Sequence, residues 1–548
     1  MGMGMLERSI IICEFIFISS WLAQSCPSMC NCFNGVQVFC SSPNINSQVQ
    51  IIQIPLDIPP NVTDLMFFDT SISVLKNASF THYSGLKKLL FVNNDIQSIQ
   101  QNAFHGLSHL TDLEVSANPL PIIEPGTFDE LTELQKLILT HNSITDMPCY
   151  LFEHTTNVEV LELQGNNISQ FCSELFSHLK NLRELNLGSN EIYKIQSSSF
   201  SKLQNLRVLK LNNNNITQIL PSSFKELTHL TELSLDGNRI SSLYMHTFES
   251  LTSLKKLSLV KNAIKEFKNP IFSKLHNLTW LALEGNQITS LSAGIFDGLQ
   301  NLVNLLLGGN QLKTIPKGIF SNLKKLEILV LSYNKIESLE DDAFESLETL
   351  THLYLDNNYL KFIQRNIFKN MTSLQVISLH HNQLRVLPED IFDQLVNVVS
   401  VILHKNQWWC DCSFSLFLNW IKENRDITQI SEIVCEGPDH LNGQLVYLLK
   451  QRELNCSAIK NIQQNPLFRI QETVLANGPD AGQSIIHSSC KSYSSINGSV
   501  IIDCNLMVCT SIYINVSTTE ESRTMTFINT KGSSQCKTRN LKFSIIAT

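Results

Sequence analysis

A chain of 548 residues is too long for one ordinary hydrophobic core, so it must form either several domains or an open-ended repeat array. Its 41 basic against 49 acidic residues leave a formal charge of -8. That balance argues against a nucleic acid or an anionic membrane as partner, since either needs a surplus of Lys and Arg, and leaves a protein or a small ligand.

Residues 1–25 read as a secretory signal. Arg8 precedes a mostly apolar run from Ile10 to Leu22, broken by Glu14, and Ala23-Gln24-Ser25 offers small residues where a signal peptidase reads. Cleavage places the mature start at Cys26 and the chain outside the cell. It also removes Cys13, so that 14 of the 15 cysteines remain, an even number suited to an oxidising compartment. Nine Asn-x-Ser/Thr triplets, at Asn61, Asn77, Asn167, Asn215, Asn277, Asn370, Asn455, Asn497 and Asn515, suit the same address as candidate glycosylation sites. No later stretch approaches the roughly 20 apolar residues that span a bilayer.

From residue 61 to 406 the chain repeats itself. Asparagine recurs at Asn94, Asn118, Asn142 and every 24 residues onward to Asn406. Around each lies Leu-x-x-Leu-x-Leu-x-x-Asn-x-Leu, as in Leu302, Leu305, Leu307, Asn310 and Leu312, which is the leucine-rich-repeat signature. One further unit reads Val62, Leu65, Phe67, Thr70 and Ile72, with Thr in the Asn position, making about fifteen coils. The Leu-x-Leu alternation has the period of a strand, so each coil contributes one short strand to a parallel sheet. The Asn amide is expected to turn the chain and to satisfy backbone groups of neighbouring coils. A second column, Phe80, Phe104, Phe128, Phe152 and onward to Phe392, fills the far side of each coil. The expected fold is an α/β solenoid, a horseshoe with the parallel β-sheet on its concave face.

An open solenoid exposes a hydrophobic layer at each end and needs caps there. Residues 26–60 carry Cys26, Cys30, Cys32 and Cys40 and resemble the cysteine-rich N-terminal cap of extracellular leucine-rich repeats; residues 407–457 carry Cys410, Cys412, Trp420, Cys435 and Cys456 and resemble the matching C-terminal cap. That resemblance implies bridges Cys410 to Cys435 and Cys412 to Cys456. Inside the array, Cys149 and Cys172 lie at nearly the same place in successive coils, close enough for a further bridge. Residues 458–548 form a linker and a small β module stapled by Cys490, Cys504, Cys509 and Cys536, with strand-like runs such as Ser511 to Val516.

Catalytic chemistry has little to stand on. His229 and Glu232 have metal-ligand spacing, but other coils place Asn181 and Glu184, or Ser253 and Lys256, in the same slots, so surface variation is the simpler reading. His380, His381 and His404 fall together at strand ends, yet no nearby cysteine or carboxylate completes a ligand set, and a solvated edge is expected. There is no nucleophile elbow, phosphate loop or dinucleotide fingerprint. The chain is expected to be neither an enzyme nor a holder of any metal or cofactor.

Signal, cap, ladder, cap and tail in this order resemble the family of large, non-catalytic subunits of carboxypeptidase N. The most specific stretches are Cys26-Pro27 to Cys40 running into Ile54 to Pro60, the segment Phe417 to Trp420 with Gly437-Pro438 and Leu441-x-Gly443-Gln444, and the four-cysteine tail. The resemblance implies a secreted plasma carrier that binds a separate zinc carboxypeptidase subunit in a hetero-oligomer and keeps it in circulation. An alternative is a carrier resembling the acid-labile subunit of growth-factor complexes.

The partner is expected on the sheet face. Outward strand slots of the middle coils are polar, with Glu162, Glu184, Asn186, Lys210, Glu232 and Ser234, whereas Trp280, Leu306, Ile328, Val330, Tyr354, Val376 and Ile402 would form one apolar patch further along. Such patches mark interaction sites. Met66, Phe68, Leu90 and Val92 form a smaller rival, and a tail module folded back over the larger patch is the competing expectation.

Overall fold

The computed structural model describes residues 26–42, 50–267, 270–340, 342–388, 390–428 and 432–454, and beyond these the backbone of five strands between Ser488 and Ile546. The segment read as a signal, residues 1–25, and Cys456, Cys509 and Cys536 lie outside the described residues. The chain divides into two compact units, Met1–Lys450 and Gln451–Thr548.

The first unit is a solenoid. A hairpin of two antiparallel strands, β1 (Cys30–Phe33) and β2 (Gln37–Ser41), opens a 17-stranded sheet. The Asp64–Phe68 strand pairs with β2 in parallel, and fourteen more strands follow one by one to Ser400–Ile402. From Asp64 onward every register joins residues 24 apart, as Leu209 to Leu233 and Leu233 to Leu257. The first three of these strands hold five residues, and from Lys136–Ile138 onward each holds three, with one inward leucine or its equivalent. These leucines are fully buried, with Leu209 and Leu257 both at 0% exposure.

The asparagine ladder joins the coils through backbone groups that no strand can reach. Nδ2 of Asn238 donates to the carbonyls of Leu211 in the preceding coil and Leu235 in its own, both at 2.9 Å, and its Oδ1 accepts the Ile216 amide at 3.0 Å. The same three contacts recur at Asn262, Asn310, Asn334 and Asn358. At the first coil the hydroxyl and amide of Thr70 bond to Oδ1 of Asn94.

The turn itself belongs to the residue before the Asn. Asp69, Ala117, His141, Ser189, Lys261, Tyr333, His381 and Lys405 all adopt φ of 52 to 56°, and Gly165, Gly237, Gly285 and Gly309 occupy the same slot. Non-glycine side chains rarely accept this left-handed region, so the fold imposes it against local preference.

On the far side, the rings of Phe80 through Phe272 stack with centroids 6.1 to 6.5 Å apart from coil to coil. Neighbouring strands are only about 4.8 Å apart. A stack wider on its ring side than on its sheet side must bend, and the sheet takes the inner, concave surface. Just before the rings, Ile271, Ile295 and Ile319 are buried, but five coils place hydroxyls there, of which Ser79 and Thr127 donate to the carbonyls of Lys76 and Glu124. Ser199 Oγ, Ser223 Oγ and Thr247 Oγ1 are buried without a hydrogen-bond partner among the described residues. An unmet hydroxyl costs about 1 kcal/mol or more. Thr247→Val keeps the shape and removes that cost, so it should stabilise the solenoid by about 1 kcal/mol. A urea titration that gives an unchanged or lower midpoint would contradict this.

The ends are closed as an open stack requires. At the start, Cys26 bonds to Cys32 and Cys30 to Cys40. At the other end, the helix α1 (Ser415–Glu423) buries Phe417, Leu418 and Ile421. Trp420 lies 4.5 Å from the last ring of the column, Phe392, and the fully buried Trp408 donates from Nε1 to the Leu403 carbonyl at 3.1 Å. Cys410 bonds to Cys435, and Cys412 is likewise disulfide-bonded. Within the array Cys149 and Cys172 are bridged, with α-carbons 5.7 Å apart.

In the second unit, strands Ser488–Ser494, Ser499–Val508 and Lys537–Ile546 form an antiparallel sheet, and Ile512–Ser517 pairs with Ser522–Phe527. Cys490 stands opposite Cys504 in the register.

Candidate interaction face and histidine cluster

Parallel register sorts the outward side chains of the last coils into two columns. The first runs Trp280, Asn304, Ile328, His352, Val376, Ser400, and the second Ala282, Leu306, Val330, Tyr354, Ser378, Ile402. All seven residues expected in the apolar patch are therefore on one face, but polar residues interrupt them. His352, which the sequence reading did not include, sits between Ile328 and Val376, and its ring stacks 6.2 Å from that of Tyr354. The seven are half-buried rather than fully open, because the same slot on each neighbouring coil shields its flanks. Trp280 stands at the boundary of the patch, walling a shallow concavity with Glu232, Ser234, Asp236, Lys256 and Ser258.

The middle of the sheet is polar and internally paired. Nζ of Lys210 donates to Glu184 at 3.0 Å, and Nδ2 of Asn186 donates to Glu162 at 2.6 Å and to Gln164 at 2.9 Å. Burial raises the Glu162 carboxyl above its usual range against the pull of the Asn186 hydrogen bond, and burial with the nearby Asp236 does the same to Glu284. At the N-terminal end Met66, Phe68, Leu90 and Val92 are also half-buried, and the cap extends them: Phe39 stacks on Phe68 at 6.3 Å and meets the half-exposed Phe33 edge-on at 5.5 Å.

Of the candidate glycosylation sites, Asn61, Asn77, Asn167, Asn277 and Asn370 are exposed and Asn215 is partly so, and none of the six lies in a strand. Asn455 and Asn497 fall outside the described residues, and Asn515 is in the Ile512–Ser517 strand.

His229 and Glu232 do not converge. Nδ1 of His229 donates to the Gln204 carbonyl at 3.0 Å, while Glu232 faces Lys256 at 3.9 Å. The second histidine group corrects the expectation of a solvated edge lacking carboxylates. His380, His381 and His404 are each half-buried, with one ring nitrogen from each within 4.8 Å of the others. Oδ2 of Asp356 lies 3.9 Å from Nε2 of His380, and Oε2 of Glu432 lies 3.4 Å from Nδ1 of His404. Asp356 occupies the same slot one coil earlier, but Glu432 comes from the cap, and no repeat pattern places it. No helix among the described residues is long and apolar enough to cross a membrane.

Comparison with known proteins agrees with this architecture. The family model described as leucine rich repeat matches in overlapping segments from residue 60 to 407, more than half of the chain. Among curated proteins, the chain is 34% identical to human carboxypeptidase N subunit 2 over 123 residues, 22% of each chain, and 36% identical to the mouse protein over 134 residues, 23% of each. It thus spans less than a quarter of the length of these relatives. Among solved structures it resembles a chain of the Drosophila Toll–Spatzle complex, with 21% identity, a TM-score of 0.66 and coverage of 73% of this chain and 56% of that one. It also resembles a chain of the TLR13–ssRNA13 complex, with 26% identity, a TM-score of 0.60 and coverage of 72% and 61%.

Proposed function

The chain belongs to the leucine-rich-repeat proteins, and from that membership we propose that it is the non-catalytic regulatory subunit of a secreted zinc carboxypeptidase of the carboxypeptidase N kind, a carrier that binds the catalytic chain and keeps it in circulation. The similarity to carboxypeptidase N subunit 2 is the observation that carries this reading. The physical chemistry is compatible with it. Disulfides at both ends of the solenoid suit an oxidising, extracellular setting, and the half-buried apolar slots from Trp280 to Ile402 offer a rigid protein-binding surface. A sheet whose slots are set by the repeat needs little reordering on binding, which limits the entropic cost of association.

The test uses the full-length secreted chain, tagged and incubated in plasma. It should retain a carboxypeptidase that removes C-terminal Lys or Arg, while the chain freed of that partner should hydrolyse nothing, with or without added zinc. Retention of growth-factor-binding proteins in its place would overturn the partner, and hydrolysis by the isolated chain would overturn the non-catalytic role.

A further inference from the structure

We infer that His380, His381, His404 and Glu432 form a binding site for a zinc-like divalent cation, which fastens the last two coils to the C-terminal cap.

His380 and His404 share one slot, two residues before the ladder asparagines Asn382 and Asn406, so parallel pairing of Val376–Ser378 with Ser400–Ile402 brings their rings to 4.6 Å. His381 holds the left-handed turn with φ 52°, which carries its ring beside the other two, 5.0 Å from His380 and 5.9 Å from His404. Two of the ring nitrogens are unusual. Nδ1 of His381 and Nδ1 of His404 are buried without a hydrogen-bond partner among the described residues, a costly state for a group that water would otherwise bond. The Glu432 carboxylate stands 3.4 Å from Nδ1 of His404 without the alignment of a hydrogen bond.

These separations suit a shared ion. Ligands at about 2.0 to 2.1 Å from a tetrahedral zinc lie about 3.3 Å from one another. The His404–Glu432 contact is already at that spacing, and small ring rotations bring the remaining nitrogens from within 4.8 Å. Three neutral imidazoles are a recognised zinc donor set, and Glu432, which stands outside that close group but beside His404, supplies the fourth ligand by swinging its exposed carboxylate inward. Burial, then the neighbouring histidines and Lys405, lower the pKa of both His380 and His404 against the opposing pull of Asp356 and Glu432 respectively. Outside the donor set, Ser378 Oγ lies 2.8 Å from Nδ1 of His380 and can orient that ring, and Asp356 adds negative charge that offsets Lys405.

Metal-stripped full-length chain should bind one equivalent of Zn2+ in a calorimetric titration with Kd of about 1 μM or below, and Co2+ should develop the intense visible absorption of a tetrahedral complex. His404→Asn, which places in this slot the residue found at position 212, should lower zinc affinity about 100-fold, and Glu432→Gln about 10-fold. His380→Asn serves if the first variant is not secreted, and His229→Asn should change nothing. Absence of stoichiometric binding, or binding that survives His404→Asn and His380→Asn, would overturn the site. Both variants retain the sheet face between Trp280 and Tyr354, so capture of a carboxypeptidase reports separately on the proposed function.

Discussion

Replacing Trp280 or Tyr354 by alanine is expected to weaken binding of the proposed carboxypeptidase partner by about 2 kcal/mol each, roughly 30-fold in Kd, as loss of an aromatic anchor does. The two residues lie in different columns of the sheet, several coils apart, so they probe separate parts of the face. Trp280 is the one large aromatic among the residues lining the concavity that borders the polar coils, and it pairs in register with Lys256. Tyr354 lies between Val330 and Ser378 and packs on His352, so its removal also loosens that ring. Neither side chain is part of the leucine core, and both variants should be secreted and unfold as the parent does. Glu184→Ala, which breaks only a sheet-face pair with Lys210, should change affinity less than twofold. Affinities of immobilised variants for the purified catalytic chain decide the matter: unchanged values for both aromatic variants would move the interface elsewhere, first to Phe33, Phe39 and Phe68 at the N-terminal end.

A larger effect on stability is expected at the ladder. Nδ2 of Asn262 donates to the carbonyls of Leu235 at 3.0 Å and Leu259 at 3.1 Å, and its Oδ1 accepts the Ile240 amide at 3.0 Å, all away from water. Asn262→Leu adds apolar surface but strands these three backbone groups, each at a cost of about 1 to 3 kcal/mol before relaxation. The net destabilisation should be about 3 to 5 kcal/mol. Because each coil touches only its neighbours, the loss should appear as weakened coupling around this coil, with a broadened denaturant transition and local loss of amide protection. Parental stability with intact protection at Ile240 would show that the ladder is dispensable.

The zinc-site inference and the interface prediction differ in how far the sequence could have led to them. Ladder partners such as Leu235 and Ile240 are fixed offsets from Asn262, so the repeat alone locates them. The two columns of the sheet also follow from the 24-residue register, once it is applied to every outward slot. His352 is legible in that way, since it fills the same outward slot as Ile328 and Val376, but a pattern of apolar residues alone passes over it. The degree of exposure was not legible: Trp280 and Tyr354 are half-buried because of the side chains stacked above and below them, and that shielding depends on rotamers.

The coil count, the parallel sheet, the buried asparagines and the phenylalanine column were therefore decided by the sequence, because a solenoid converts a linear period into nearest-neighbour contacts. The turn before each asparagine was not, since Lys261 and Tyr333 adopt a left-handed conformation that no local preference would select. Nor was the approach of Glu432 to His404, which depends on how the cap folds against the last coil. A contact at the repeat's own spacing is written into the chain many times over, whereas a contact between repeat and cap occurs once and is set only by the packing of Trp408, Phe417 and Trp420 over the exposed final layer.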